Sequence, residues 1–400
     1  MTQVLPAPAP APPRREIWLA AWPVTAVMVL SNAATPLYVL WQHRIGFSAG
    51  VVTVVYAAYI VGLLGALMVA GIASDRLGRK PILLPALLLG ALACLLFATA
   101  TTVPTLVLAR LLTGIAVGAI LSAGTAAVSD VAGPRRSRLA SLLGSTAMVL
   151  GAGLGPLLAG VLSETLPGPT VAVFVLVAAV LATAFLVMVR MPLPRRTASA
   201  GGSWVRLPAV PRANRRQLAL GLAAFAPGIS AVGFVLSLGP SLLSHLLGTD
   251  NRIVSGATIF VLFTAATAVQ FAVRGLAVRR ILLLSAGATI GSMVSLLVAV
   301  HGASVPALVL AALLAGAGQG LGQLGGLSLL GASVPPTRLA EANAALNAGG
   351  YLPAGVLPVL AGYLSDGIGL PSAATAFGVA VALAALLGGA FVAKRQDFEH

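Results

Sequence analysis

Only 8% of this chain's residues are charged, so the positions able to do polar chemistry stand out. The stretch GIASDRLGRK at 71–80 holds four of those charges, Asp75, Arg76, Arg79 and Lys80, with Gly71 and Gly78 among them. An acid and bases this close suit reversible ion pairing. Arg110 is the lone base inside an apolar run, where a charge is costly and by default a functional candidate. It lies about two turns from one end of that run, so two readings stay open: a site residue, or an arginine snorkelling to the interface. Polar residues also recur at helical spacing inside apolar runs: Asn32, Thr35 and Tyr38; Gln319 and Gln323; Asn343, Asn347 and Tyr351. Such stripes are disfavoured against lipid and are expected to face inward, where they either touch a substrate or join helices. Phe225 and Phe234, with Pro227 and Gly228 between them, offer an apolar wall or plain packing. No catalytic constellation accompanies them. His43, His245 and His301 are isolated from one another, and neither metal-ligand spacing nor a phosphate-cradling loop is present, so no cofactor or metal is expected.

The elements that carry these residues follow from composition. With 58% hydrophobic residues and a mean hydropathy of +1.02, the chain lies outside the soluble range. A spanning helix needs ~20 mostly apolar residues, and runs of that length tile the sequence. Strand barrels alternate in segments of ~10 and are excluded. The reading is an all-α membrane protein with twelve spans at 17–41, 49–72, 81–100, 104–128, 139–162, 170–189, 217–243, 253–272, 281–300, 305–330, 343–363 and 372–393.

Orientation follows from arginine. Of the 24 Lys and Arg, 21 fall on the side that holds the termini, Arg44 and Arg252 on the other, and Arg110 within a span. The positive-inside rule therefore makes both termini cytoplasmic. The net charge of +15 is topological, and with the arginines spread over alternate loops, nucleic-acid binding is not expected. The single Cys94 lies within a span and forms no intrachain disulfide. Residues 1–16 read as a Pro/Ala-rich disordered cytoplasmic tail and not as a signal peptide. The remaining divisions are a six-helix bundle at 17–189, a basic cytoplasmic linker at 190–216, a second bundle at 217–393 and a tail at 394–400. The 22 Arg against 2 Lys, with abundant Ala and Gly, suggest a GC-rich bacterial source and a plasma (inner) membrane location.

The bundles are variations on one design. GLGPLLAGVLSE at 153–164 and GVLPVLAGYLSD at 355–366 agree at seven of twelve positions, sharing Pro156 with Pro358 and an acid at the outer end. The same shift lays Gly114 on Gly316 and Gly118 on Gly320. Parallel repetition of six helices implies a substrate site between the halves near the bilayer midplane.

In GIASDRLGRK, Gly71, Asp75, Arg76, Gly78, Arg79 and Lys80 occupy every place of the loop motif between spans two and three of the major facilitator superfamily, which the chain also resembles in span count, repeat and linker position. Gly71 would let two helices approach closely, and Gly78 would allow the tight reversal. The resemblance implies that Asp75 faces the first turn of span eleven, after Pro335, Pro336 and Thr337, and that Arg79 pairs with Asp130 at the end of span four. Together these form a cytoplasmic gate, closed while the pathway is open outward. A carboxylate at a helix N-terminus gains ~0.3–1 kcal/mol, enough to bias such an equilibrium and weak enough to break each cycle. Arg110 with Gly114 and Gly118 resembles the family's fourth-span motif. Gly151, Gly155, Pro156 and Gly160 resemble its fifth-span antiporter motif, with Ala159 where glycine is commoner, while packing alone is the other reading of these small residues.

The nine acids all map to loops or span ends. Proton coupling would then rest on Asp75, Asp130 or Glu164, and a cationic substrate requiring a buried carboxylate is disfavoured. The expected function is a monomeric secondary transporter, similar to the drug:proton antiporter branch, that exports a small lipophilic or amphipathic compound in exchange for protons. An uncoupled or inward-directed carrier of a sugar-like or organic-acid solute is the alternative. The expected partners are the small-molecule substrate, protons and the lipid bilayer.

Overall fold

The computed structural model describes residues 14–133, 136–193, 208–248, 250–335 and 337–394. The expected Pro/Ala tail up to residue 13, most of the expected linker (194–207), Pro336 and the tail from 395 lie outside the described residues.

Twelve helical segments long and apolar enough to cross a membrane are present: Arg15–Ile45, Ala49–Leu77, Lys80–Ala98, Val103–Ala132, Leu142–Thr165, Pro169–Arg190, Arg212–Ser237, Arg252–Ala272, Val278–His301, Val305–Ser333, Leu339–Ile368 and Leu370–Ala393. Several run further than hydropathy alone implies. Span two continues through Asp75 and Arg76 to Leu77, because nothing in the sequence breaks the helix before Gly78, whose φ of +96° ends it. Asp75 and Arg76, expected in a loop, therefore sit on its last helical turn, while Arg79 and Lys80 open the next helix.

Spans one and seven are broken where the sequence reading made them continuous. Span one stops at Ala33, passes through a 3-10 turn at Thr35–Leu37 and resumes as Tyr38–Ile45. Span seven stops at Ser237 and resumes as Gly239–Leu247. Pro36 and Pro240 lie at the two breaks, where proline supplies no N–H and crowds the preceding turn. Span four carries a π turn at Ile120–Gly124.

Each half has its own buried core, one drawn from Ile17 to Met191 and the other chiefly from Phe225 to Val381. The repeat is visible in the packing. A Cβ at Gly114 would overlap the Tyr59 carbonyl oxygen, and one at Gly118 would lie 2.7 Å from the Leu63 carbonyl. In the second half, Cβ atoms at Gly316 and Gly320 would overlap the Leu262 and Ala266 carbonyls. Span four thus lies on span two as span ten lies on span eight, with backbones in contact at glycines four apart.

The halves meet chiefly through span two against span eleven and span five against span eight. Among the described residues, the side-chain bonds joining them lie at the end away from Arg14 and Lys394, here the far end. They are Asp366 with Ala49 and Gly50, Glu164 with Arg252, Gln42 with Ser241, and His43 with Asp250.

Candidate substrate site

The break in span one is held by Arg110 from span four. Its guanidinium donates to the Ser31 carbonyl at 2.7 Å and to Thr35 Oγ1 at 3.2 Å. Ser31 lies in the helix before the break and Thr35 opens the 3-10 turn, so the arginine bonds the end of the first segment and the turn itself. The cation also lies over the Tyr38 ring at 5.0 Å and within 5.9 Å of the Phe97 ring. Arg110 is 1% exposed, which overturns the snorkelling reading: its fork is turned into the bundle. Arg110 Nε and the Tyr38 hydroxyl are buried without a hydrogen-bond partner among the described residues. Asn32, buried beside them, donates to Ser31 Oγ at 3.0 Å.

From this cluster a line of tyrosines runs to the second half. Tyr56 and Tyr59 of span two were not singled out from the sequence, where two tyrosines in an apolar run read as packing. Tyr56 is 5% exposed and belongs to the core of the second half. Tyr59 and Tyr351 each pack against both cores. Three of the chain's five tyrosines, Tyr56, Tyr59 and Tyr351, therefore sit where the halves meet.

The second half adds amides. Gln319 Nε2 donates to Gln323 Oε1 at 3.0 Å on span ten, both side chains half-buried. On span eleven, the buried amide oxygens of Asn343 and Asn347 have no donor among the described residues. Tyr351 meets Phe225 edge-on, with ring centroids 6.5 Å apart. Phe234 does not join the cluster. It is 1% exposed and stacked on Phe377 at 4.5 Å, so in this conformation it is core and not a wall of the site. Phe225 is the aromatic ring beside the polar cluster.

At the termini end the residues expected to form a gate make a network centred on Arg79, which is 6% exposed. Arg79 Nε donates to Asp130 Oδ2 at 2.9 Å, and its Nη1 donates to Asp75 Oδ1 at 2.8 Å and to Ser74 Oγ at 2.9 Å. Lys80 Nζ donates to the Val189 carbonyl at 2.8 Å, tying span three to span six. Asp75 is thus engaged within its own half here, and its side chain is 47% exposed. Arg76 sits beside it on the last turn of span two. The close helix approach expected at Gly71 is not made, since the nearest atom to a Cβ there would be Ser122 Cβ at 3.9 Å.

The small residues of span five pack two ways. A Cβ at Gly151 would lie 2.5 Å from Met28 Cβ, and one at Gly155 would overlap the Val29 carbonyl of span one. One at Gly160 would overlap the Arg252 carbonyl of span eight, while Gly256 meets the Pro156 carbonyl in return. The motif brings span five against both halves.

The described residues form twelve membrane-length helices in two similarly packed halves, with polar side chains where the halves meet. Residues 17–300 match the Major Facilitator Superfamily, more than half the chain, and the chain belongs to that family. It is 44% identical over 81 residues to the 3-(3-hydroxy-phenyl)propionate transporter of Escherichia coli, a match covering 20% of each protein. It is 38% identical over 125 residues to a triacylglyceride transporter of Mycobacteroides abscessus, covering 31% of this chain and 24% of that one. The chain therefore spans about a fifth to a quarter of the length of these relatives. Among solved structures, the nucleoside transporter NupG superposes with a TM-score of 0.75 at 15% identity, over 94% of this chain and 99% of that one. The human organic anion transporter MFSD10 superposes at 0.62 and 20% identity, over 95% and 100%. At such identities these likenesses carry the fold alone.

Proposed function

We propose that the chain is a bacterial plasma-membrane secondary carrier that moves a small amphipathic compound, neutral or weakly anionic, by alternating access of its two six-helix halves. The observation that carries this reading is the composition of the cluster at the junction. Tyr59 and Tyr351 pack against both cores, Arg110 is buried in the first half and the Asn347 oxygen one turn from Tyr351 has no partner among the described residues, and the seven acids among the described residues lie in loops or near helix ends. Such a surface offers hydrogen bonds, aromatic faces and positive potential, and no carboxylate to hold a cation. Arginine placement supports cytoplasmic termini. On that orientation the far-end bonds would close the molecule to the outside.

Export in exchange for protons is the direction we assign, on the fifth-span pattern, with Asp75, Asp130 and Glu164 as the proton-carrying candidates. One observation favours a second reading, an inward-directed carrier of an aromatic organic acid: the 44% identity over 81 residues to a transporter whose name gives it such a substrate. The test of substrate class is uptake by proteoliposomes of a radiolabelled panel of aromatic carboxylates, neutral amphipathic compounds and lipophilic cations. Saturable uptake of the first two classes is expected. Transport of the cations at equal rates would contradict the reading.

A further inference from the structure

Two carboxylates join the halves at the far end, and they do so in the same way at positions the internal repeat relates. Asp366, in the last turn of span eleven, accepts from the backbone N–H of Ala49 at 3.1 Å and of Gly50 at 3.2 Å, at the start of span two. Glu164, in the last turn of span five, accepts from the backbone N–H of Arg252 at 3.0 Å, the first residue of span eight. Its carboxylate also takes Arg252 Nε at 2.9 Å and Nη2 at 3.3 Å. Another first-turn donor is satisfied locally in both helices. Ser48 Oγ accepts from the Val51 N–H at 3.4 Å, and Asn251 Oδ1 accepts from the Val254 N–H at 3.0 Å. Each helix therefore takes one cap from its own half and a second, charged cap from the opposite half.

Glycines let the caps reach. A Cβ at Gly50 would lie 2.7 Å from Asp366 Oδ2, and one at Gly362 would lie 2.5 Å from Thr53 Oγ1. On the other seam, Gly160 and Gly256 play the same part. The first N–H groups of a helix lack intrahelical partners and carry the positive end of its dipole, so an anion there is stabilised by hydrogen bond and field together. These bonds exist only while the halves touch at the far end. An interaction present in one state alone shifts the equilibrium toward that state by its whole strength.

We propose that Glu164 and Asp366 form a matched pair of cross-half helix caps that sets the population of the far-end-closed state. Each seam contributes on its own, because the carboxylates bond different helix pairs.

The test reads conformation and not transport, so it stands or falls separately from the substrate reading. In the full chain with Cys94→Ala, spin labels at Leu166→Cys and Leu247→Cys report the far end, and labels at Leu77→Cys and Leu276→Cys report the termini end. Distances are measured by electron double resonance in nanodiscs. Glu164→Ala and Asp366→Ala are each expected to raise the ratio of far-end-open to far-end-closed molecules about fivefold, and the double variant roughly 25-fold. The termini-end distances move reciprocally. Arg252→Gln leaves Glu164 on the backbone N–H and is expected to shift the ratio less than Glu164→Ala. If the alanine variants do not purify as monodisperse protein, Glu164→Gln and Asp366→Asn keep side-chain volume and repeat the test. Wild-type distances in the double variant would overturn the proposal. So would an Arg252→Gln effect equal to that of Glu164→Ala, which would make the side-chain ion pair, and not the cap, the active element.

Discussion

Arg110 is the residue on which the site turns. A buried charge is costly unless it is bonded, and here two guanidinium donors go to Ser31 and Thr35 and two aromatic rings face the cation, while Nε has no partner among the described residues. Lysine keeps the charge and loses the planar fork that reaches both partners. Arg110→Lys should therefore lower stability by about 2 kcal/mol, read as a fall in the melting temperature of the purified protein. It should also slow uptake of an aromatic carboxylate at least ~10-fold, with a neutral solute affected far less. Equal losses for both solutes would assign Arg110 to holding span one and not to charge recognition. The arginine could be picked out from the sequence because a charge in an apolar run is conspicuous. Tyr56 and Tyr59 could not, because their role depends on span two leaning onto the second half, a contact between segments far apart in sequence.

At the scale of elements, glycine spacing carried more information than hydropathy. Gly114 and Gly316 were paired by the repeat in the sequence, and both place a helix against a carbonyl of its neighbour. Gly114→Ala should destabilise the protein by about 1–3 kcal/mol, as overpacking does. Gly65→Ala, with nothing within 4 Å of the new Cβ, should be neutral or stabilising by up to about 1 kcal/mol. Thermal melts of the two variants side by side check this, and equal melting temperatures would contradict it. Helix ends were less legible. Pro36 and Pro240 mark the breaks in spans one and seven, yet a hydropathy run passes over a single proline. Span two reads as ending near residue 72, because its last turn is charged, although Asp75 and Arg76 remain helical. The Asp366 cap joins residues 317 positions apart and leaves no local signal.

For the whole molecule, the bonds that join its halves at the far end are the main observation. The described bonds between halves are at the far end, while at the termini end Arg79 holds Asp75 and Asp130 within the first half. We expect Asp75 to exchange this arrangement for the first turn of span eleven when the molecule turns over. Asp75→Asn should then cut transport at least ~10-fold while leaving membrane insertion and yield unchanged. A variant that transports normally would remove Asp75 from the cycle. The twelve spans and the family were legible in the sequence, because lipid forces long apolar runs and the motif between spans two and three is specific. Substrate and direction were not, since they depend on which side chains meet across the junction.

The most direct test of a gradient-driven carrier is accumulation of the best-transported panel compound in proteoliposomes under an imposed pH gradient and membrane potential, with proton flux followed by dye. One pH unit is worth ~1.4 kcal/mol and 100 mV ~2.3 kcal/mol, so a single exchanged proton could sustain roughly 500-fold accumulation. The account predicts uphill movement of the compound with matching proton flux. Equilibration at equal concentrations, with no proton movement, would contradict it.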